Sequence, residues 1–383
     1  MRTDPQVESD QYWMGQALAM AQTALYSTAP NPRVGCIIVR SGQVLGSGAT
    51  QAAGHAHAEI MALENARQHG HQLAGATVYV SLEPCSHQGR TPPCVDALIR
   101  ARPERVVVAM MDPNPDVAGS GIRALEAAGI DVTAGVGAAQ ALALNPGFVS
   151  RMVRQRPWVW LKVASSLDGH TALPDGEAKW ITGPAARADG QHWRARSCVV
   201  LTGSGTVAAD NPLLNVRDIS TPRQPVRAIV DTNFETAEDS RIFDGEPVWI
   251  FTCREDKPKA RRLAERAVEV IVVPQDNKRV DLQAVLAWMA EREVNEVHVE
   301  AGARLSGAFV EADCVDELLV YLAPVLLGQG MSMAQMAAVA SLDHAHRFEY
   351  TDIEPIAGDL RLSLRHVGHW QALCDRLSIP LSG

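Results

Sequence analysis

The sequence predicts an α/β protein of two domains, an N-terminal α/β/α layered domain over residues 1–147 and a C-terminal α/β domain over residues 148–383. Three observations carry this prediction. The chain has 383 residues, between two and three times the ~150 residues of an ordinary domain. Apolar strands alternate with amphipathic helices in both halves, the pattern of layers packed on a sheet. The composition breaks near residue 147. Residues 1–150 contain no lysine, nine arginines and twelve acids. Asn145-Pro146-Gly147 marks the boundary, and Arg151 to Pro157 reads as a basic linker.

In the first half, residues 10–26 read as an amphipathic helix opened by Asp10. Residues 34–40 form an apolar run that predicts a buried strand. Ser41-Gly42 is a turn signal, and Val44 to Ser47 is the hairpin partner. A helix is expected over 57–69, a strand over 76–82, a helix over 93–101, a strand over 105–111, a helix over 121–128 and a strand over 130–133. In the second half, strands are expected at 158–164, 197–202, 226–231, 247–252, 269–273, 296–300 and 317–323. Strands at 347–353 and 360–367 suggest an antiparallel closing element. No internal repeat relates the halves.

Composition excludes several classes. Hydrophobic residues make up 46 % of the chain, enough for ordinary cores. With 29 glycines and 22 prolines the chain is neither collagenous nor low in complexity. The net charge of −9 argues against a general nucleic-acid or anionic-membrane binder. The longest apolar stretch, Leu318 to Leu327, contains Pro324 and falls short of the about 20 residues of a span. The polar start, Met1 to Pro5, lacks the apolar segment of a secretory signal, so the expected location is cytoplasmic. Seven cysteines, odd and sparse, argue for free thiols with some bound to metal. Cys36, Cys198, Cys253, Cys314 and Cys374 are expected to be inert.

One constellation carries specific chemistry. His57-Ala58-Glu59 opens a predicted helix. Glu83-Pro84-Cys85 follows a strand, and Cys94 opens the next helix. One imidazole and two thiolates make a three-ligand zinc site that leaves a fourth position for water. Zinc lowers the pKa of such a water to near neutrality. Glu59, two residues beyond His57, can stand beside the metal without binding it, the place a proton carrier must occupy. This is the H-x-E…P-C-x-x-C pattern of nucleobase deaminases, with eight residues rather than two between the cysteines. The bland alternative is a surface histidine and two buried thiols. A purely structural site would take a fourth ligand, for which His87 is the candidate.

The second half offers weaker signals. A strand carries Lys162 into a polar turn at Asp168-Gly169. Val199 to Leu214 joins a strand to a short helical turn through Gly203-Ser204-Gly205. Glu300-Ala301-Gly302 joins another strand to a helix, whose free N–H groups can cradle phosphate. Gly203-x-Gly205-x-x-Ala208 with Asp231 about twenty residues on leaves a Rossmann reading open. Asp210-Asn211-Pro212 argues against it by stopping the helix at once.

Asn31-Pro32-Arg33-Val34-Gly35-Cys36, His57-Ala58-Glu59 and the long Pro84–Cys94 loop together resemble the deaminase half of the bifunctional RibD family of riboflavin biosynthesis. Lys162 to Gly169, Trp180-Ile181-Thr182, the run from Thr206 through Asp210 to Leu214, and Glu300-Ala301-Gly302 resemble its reductase half. The resemblance spans about residues 10–370. It implies a cytidine-deaminase-like fold followed by a dihydrofolate-reductase-like fold, with Zn2+ and NADPH as cofactors. The implied substrate is a diaminopyrimidinone carrying a phosphoribosylamino group. Its 2-amine is replaced by oxygen, and its ribosyl chain is then reduced to ribityl.

Carried over by motif, Asn31, His87 and Arg90 would contact the deaminase substrate. Ala164, Trp180, Thr206, Asp210, Thr232 and the turn Gly302, Ala303, Arg304, Leu305, Ser306, Gly307 and Ala308 would lie along the nicotinamide cofactor. Ala178, Arg194, Leu214, Arg217 and Glu300 would contact the reductase substrate, with the two arginines suited to its phosphate. Acid chemistry would fall to Glu59 in the first half, and to Lys162 and Asp210 in the second, with Asp168 a further ionisable candidate. Two departures stand out. Thr50 sits where the family often has histidine, and His170 where it more often has arginine.

The competing reading is a single-activity base or tRNA deaminase with an unrelated nucleotide-binding second domain. The net charge of −3 on the first half lacks an RNA footprint. A non-catalytic ligand-binding regulator would have no use for Glu59. The expected partners are a small phosphorylated pyrimidine and a second copy of the chain, as a dimer or tetramer, with no nucleic acid and no membrane.

Overall fold

The computed structural model describes residues 5–89, 91–245 and 247–380. The chain folds into two compact units, one of residues 1–154 with 371–383, the other of residues 155–370.

The first unit contains α1 (Pro5–Gln22), β1 (Gly35–Arg40), β2 (Gln43–Ala49), α2 (Ala58–Gln68), β3 (Thr77–Val80), α3 (Cys94–Ala101), β4 (Arg105–Val108), α4 (Ser120–Ala127), β5 (Asp131–Ala134), α5 (Ala138–Leu144) and α6 (Pro146–Arg154). Its strands form one five-stranded sheet in the order β2-β1-β3-β4-β5. The β1–β2 hairpin closes through Ser41 and Gly42, both at positive φ (52° and 76°), which matches the twist of the flanking strands. From β3 to β5 the strands run parallel, as helical crossovers require. Helices lie tightly on this sheet. A Cβ on Gly35 would stand 2.0 Å from the Ala17 carbonyl oxygen of α1, and one on Gly48 2.4 Å from Met61 Cβ of α2.

The stretch read as a boundary and linker is instead helix α6. Pro146 fits the first turn, where no intrahelical N–H is needed. Phe148, Val149 and Ser150 are buried along the helix, so its basic residues are helix-surface charges rather than a linker. Asn145 is also structural. Its side chain accepts the Arg33 amide (2.8 Å) and donates to the Arg33 carbonyl (2.9 Å).

The second unit contains β6 (Trp158–Ser166), β7 (His170–Ala172), α7 (Pro184–Arg196), β8 (Val199–Gly203), α8 (Ser204–Asp210), β9 (Val226–Val230), β10 (Val248–Thr252), α9 (Lys257–Ala264), β11 (Val268–Val272), β12 (Gln275–Asp276), β13 (Arg279–Val280), α10 (Leu282–Glu291), β14 (Glu296–Glu300), α11 (Ala303–Glu311), β15 (Glu317–Ala323), β16 (Met331–Ser332), β17 (Phe348–Ile356) and β18 (Asp359–His366). Helix α12 (Val367–Leu377) follows β18 directly. Nine strands form a sheet in the order β11-β10-β9-β8-β14-β6-β15-β18-β17. The run from β11 to β15 is parallel, and β18 and β17 close it antiparallel, as the sequence suggests. Near-continuous apolar strands such as Val199-Val200-Leu201 suit a parallel sheet covered on both faces. One face packs on Val285, Leu286, Met289 and Phe309 of α10 and α11. The edge strand β17 leaves Tyr350 and Ile353 more than half exposed. No helix among the described residues is long and apolar enough to cross a membrane.

Candidate active sites

The first site is assembled where α2, α3 and the loop after β3 meet. His57 is the residue before α2, Cys94 the first residue of α3, and Cys85 lies on the loop between β3 and α3. His57 Nδ1 is 3.6 Å from Cys85 Sγ and 3.3 Å from Cys94 Sγ. A tetrahedral zinc with Zn–S of ~2.3 Å and Zn–N of ~2.05 Å spaces nitrogen and sulfur donors about 3.6 Å apart. The donor set therefore fits zinc, with Nδ1 as the imidazole ligand. His87 does not join this cluster. Its Nδ1 is buried without a hydrogen-bond partner.

The two thiols are unequal. Hydrogen bonding from Cys94, and then from His57, holds the Cys85 thiol down at about 4, while the same contact and burial push Cys94 up. Glu59 lies in the first turn of α2, 3 % exposed and within hydrogen-bonding reach of Cys94. With these donors alone, burial and then the Cys85 thiolate push its carboxyl up to about 7. Set beside the donor set, such a carboxyl is in place to take a proton and give it back.

Two features of this site escaped the sequence reading. Buried Glu83 accepts four backbone amides, from Asp112 (3.1 Å) and Gly119 (2.9 Å) on one oxygen and from Gly121 (2.9 Å) and Ile122 (3.2 Å) on the other. It thereby fastens the 112–122 loop beside Pro84-Cys85. An acid set between a strand and Pro-Cys was the available signal. The second feature is Gly46-Ser47-Gly48. A Cβ on either glycine would drive into α2, at 2.3 Å from the Ala62 carbonyl oxygen or 2.4 Å from Met61 Cβ. These glycines let the helix bearing Glu59 sit on the sheet. Thr50 is buried, and its hydroxyl has no hydrogen-bond partner. Asn31 is half-buried, in a turn closed by its amide to the Thr28 carbonyl (2.9 Å). Arg90 lies outside the described residues.

The second site lies at the carboxyl ends of the parallel strands, where such sheets bind ligands. Lys162 on β6 pairs in register with Glu300 at the end of β14. Buried Arg194 grips Glu300 with both Nε and Nη2, and donates Nη1 to the Asn215 carbonyl (2.9 Å). His298 Nε2 is 3.3 Å from the same carboxylate. Despite burial, the Arg194 charge and its hydrogen bonds, with that of His298, hold Glu300 well below the carboxylate range. Burial, and then Arg194, push Lys162 down, although Glu300 opposes this. Arg194 is thus engaged with Glu300 rather than presented as a free phosphate ligand.

Other expected residues are distributed around this centre. A Cβ on Gly302, before α11, would come within 3.9 Å of Thr206 Oγ1 on α8, so these two helix starts are neighbours. Ala303, Arg304 and Leu305 are on the open first turn, whereas Ser306 is buried. A Cβ on Gly307 would meet the Gln335 carbonyl oxygen at 1.9 Å, so this glycine serves close packing, with half-buried Ala308 beside it. Ala164 lies two residues beyond Lys162 on β6 and packs against Ala186, Leu319 and Tyr321. Asp210 ends α8 in an exposed ion pair with Lys179 (3.7 Å). Trp180 is exposed and stacked under Arg187 (4.2 Å), and with Ala178 it lines an open depression. Leu214 is a core residue. Arg217 is exposed, with its Nε 3.9 Å from Asp218.

The Rossmann alternative does not hold. Helix α8 has seven residues and ends at Asn211 in the left-handed region. Asp231, the would-be ribose ligand, is buried and accepts the amides of Glu235 (3.0 Å) and Thr236 (2.7 Å). It caps a turn, and the neighbouring Thr232 Oγ1 accepts the Val280 amide (3.4 Å). Asp168 is a turn organiser. It accepts the Ser166 hydroxyl and the Leu327 and Gly328 amides, which hold its carboxyl down at about 2. His170 pairs with Ser332 across β7 and β16.

Comparison with known proteins agrees with both halves. Residues 7–110 match the family model of the cytidine and deoxycytidylate deaminase zinc-binding region, and residues 157–362 match that of the RibD C-terminal domain. The riboflavin biosynthesis protein RibD of Escherichia coli is 42 % identical, covering 93 % of this chain and 99 % of its own. That of Haemophilus influenzae is 41 % identical, covering 92 % and 96 %. Among solved structures, Acinetobacter baumannii RibD superposes with a TM-score of 0.85 at 42 % identity, covering 94 % of this chain and 99 % of its own. A Thermotoga maritima diaminohydroxyphosphoribosylaminopyrimidine deaminase/5-amino-6-(5-phosphoribosylamino)uracil reductase gives 0.84 at 31 % identity, with 94 % and 99 % covered.

Proposed function

The chain belongs to the RibD family, and from that premise we propose that it deaminates 2,5-diamino-6-(5-phosphoribosylamino)pyrimidin-4-one and then reduces the ribosyl chain of the product to ribityl with NADPH. It is a bifunctional riboflavin biosynthesis enzyme, a zinc-dependent deaminase joined to a reductase. The observation that best supports both steps on one chain is the His57–Cys85–Cys94 donor set in a chain that also carries the reductase domain.

His57, Cys85 and Cys94 would hold the zinc, which supplies Lewis acidity that makes a water acidic near neutral pH. Glu59 takes the proton of the attacking water and hands it to the ring nitrogen. As the hydroxyl of the adduct becomes a carbonyl, Glu59 takes its proton and gives it to the departing amine, so that water is consumed and ammonia released. Asn31, His87 and Arg90 would hold the substrate.

In the second unit the NADPH would lie along the starts of α8 and α11, near Thr206 and Gly302, with Ala164, Trp180 and Thr232 further along its path. When bound there it would supply hydride to C1′ of the opened ribosylamine. Lys162, whose proton is loosened by burial, would protonate the sugar oxygen as the ring opens. Arg217, exposed and weakly paired, is better placed than Arg194 to meet the substrate phosphate. Tyr350 and Ile353, exposed on edge strand β17, support a homo-oligomer, dimer or tetramer, in which a second copy covers them. A cytoplasmic location is part of the same reading.

The test follows ammonia release and NADPH oxidation separately on the diaminopyrimidinone ribotide. Ammonia without NADPH, and NADPH loss only after deamination, are expected. Ammonia with no NADPH loss would remove the reductase half of the reading.

A further inference from the structure

The second unit contains a cluster of metal-binding side chains that neither active site uses. His366 ends β18, and His369 lies three residues on in the first turn of α12. Asp313 lies on the turn between α11 and β15. Their donor atoms all fall within 4.8 Å of one another. His369 Nε2 is 3.1 Å from Asp313 Oδ2, and His366 Nε2 is 3.6 Å from Asp313 Oδ1. An ion bound tetrahedrally to nitrogen and oxygen at ~2.05 Å spaces its donors about 3.3 Å apart.

A second observation points to a cation. The other nitrogen of His369, Nδ1, is 2.9 Å from Asp316 Oδ1, and the Asp316 side chain is fully buried. His369 therefore stands between two carboxylates. A carboxylate behind an imidazole helps hold its ring for a ligand on the far nitrogen, here Nε2, which faces Asp313 Oδ2 at 3.1 Å. The rings of His366 and His369 stack 4.0 Å apart, a poor arrangement for two imidazolium ions.

We propose that Asp313, His366 and His369 bind a borderline divalent ion of the zinc or nickel type, which clamps the α11–β15 turn to the β18–α12 junction. Two imidazoles in the set favour such an ion over calcium or magnesium. Binding moves the His366 ring proton to Nδ1 and gives up its long hydrogen bond from the His369 amide (3.3 Å). The Asp313 side chain is 64 % exposed, so the coordination is open on the solvent side.

The test counts metal on the full-length protein after equilibration with buffered micromolar free Zn2+ and desalting. Two zinc ions per chain are expected, falling to one in the His366→Gln/His369→Gln variant. Asp313→Asn, at an exposed turn position, should keep the fold and weaken the second site by on the order of tenfold or more. In cobalt-loaded protein, the histidine variant should lose an ion without losing the thiolate-to-cobalt charge-transfer band, which only the Cys85–Cys94 site can give. One zinc per chain in the parent protein would overturn the proposal. So would a second zinc that survives both substitutions, because the ion would then lie elsewhere.

Discussion

Lys162 and Glu300 face each other in register on the adjacent parallel strands β6 and β14, and Arg194 closes on the same carboxylate. One carboxylate thus serves buried Arg194 and half-buried Lys162. Glu300 raises the Lys162 pKa while Arg194 and burial lower it. Glu300→Gln removes only the raising influence and leaves two like charges in the interior. Breaking such a buried pair costs about 3–5 kcal/mol. If protonated Lys162 is the acid, reduction is lost as pH rises through its pKa, which already lies below that of an ordinary lysine. The basic limb of the NADPH-oxidation profile should therefore move to lower pH in Glu300→Gln, with deamination unchanged. An unshifted limb would take Lys162 out of the acid role.

Glu83 predicts a loss confined to the first unit. Glu83→Gln turns one acceptor oxygen into a donor and sets it against two of the four amides held there. Each buried amide left unpaired costs about 1–3 kcal/mol. Zinc content and ammonia release should fall together in Glu83→Gln, while NADPH oxidation on deaminated substrate persists. Thermal melting with metal analysis checks this.

Gly48→Ala tests the packing of α2. The added methyl would overlap Met61 and the Ala62 amide (2.6 Å) on the helix that carries Glu59. Overpacking of this kind typically costs about 1–3 kcal/mol. Ammonia release should drop without any change to a metal ligand, and the split assay reads this directly.

The alternation of strands and helices, and the antiparallel closing element of the second unit, followed from apolar runs and their spacing. The zinc ligands were legible because His-Ala-Glu and Pro-Cys each sit at an element edge. Glu83 was not, because the amides it binds are 29 to 39 residues away in sequence. Asn145-Pro146-Gly147 misled because proline and glycine break chains in one context and open a helix in another. Only the burial of Phe148 and Val149 decides between them. Arg194 shows the same limit. Its charge was visible in the sequence, but not the carboxylate that occupies it.

Glu317 gives the stability a pH dependence. It is fully buried, and burial outweighs its hydrogen bond from Arg365 (2.9 Å), so its carboxyl is raised to about 7. A group raised on folding contributes stability that is complete below its unfolded value, about 4.5, and is lost as pH rises through about 7. The shift corresponds to about 3 kcal/mol. Glu317→Gln keeps an acceptor for Arg365 and removes the titration. Its stability relative to the parent should improve between pH 5 and pH 8 by that order. Urea unfolding at the two pH values measures the difference.

The central claim is that the zinc cluster and Glu59 form a deaminase on a chain whose second unit reduces the product. Glu59→Gln tests it most directly, in an assay that follows ammonia from the diaminopyrimidinone ribotide and NADPH oxidation on the deaminated product. The account predicts zinc retained, ammonia release lost by about two orders of magnitude or more, and NADPH oxidation at the parent rate. Ammonia release at the parent rate in Glu59→Gln would contradict it.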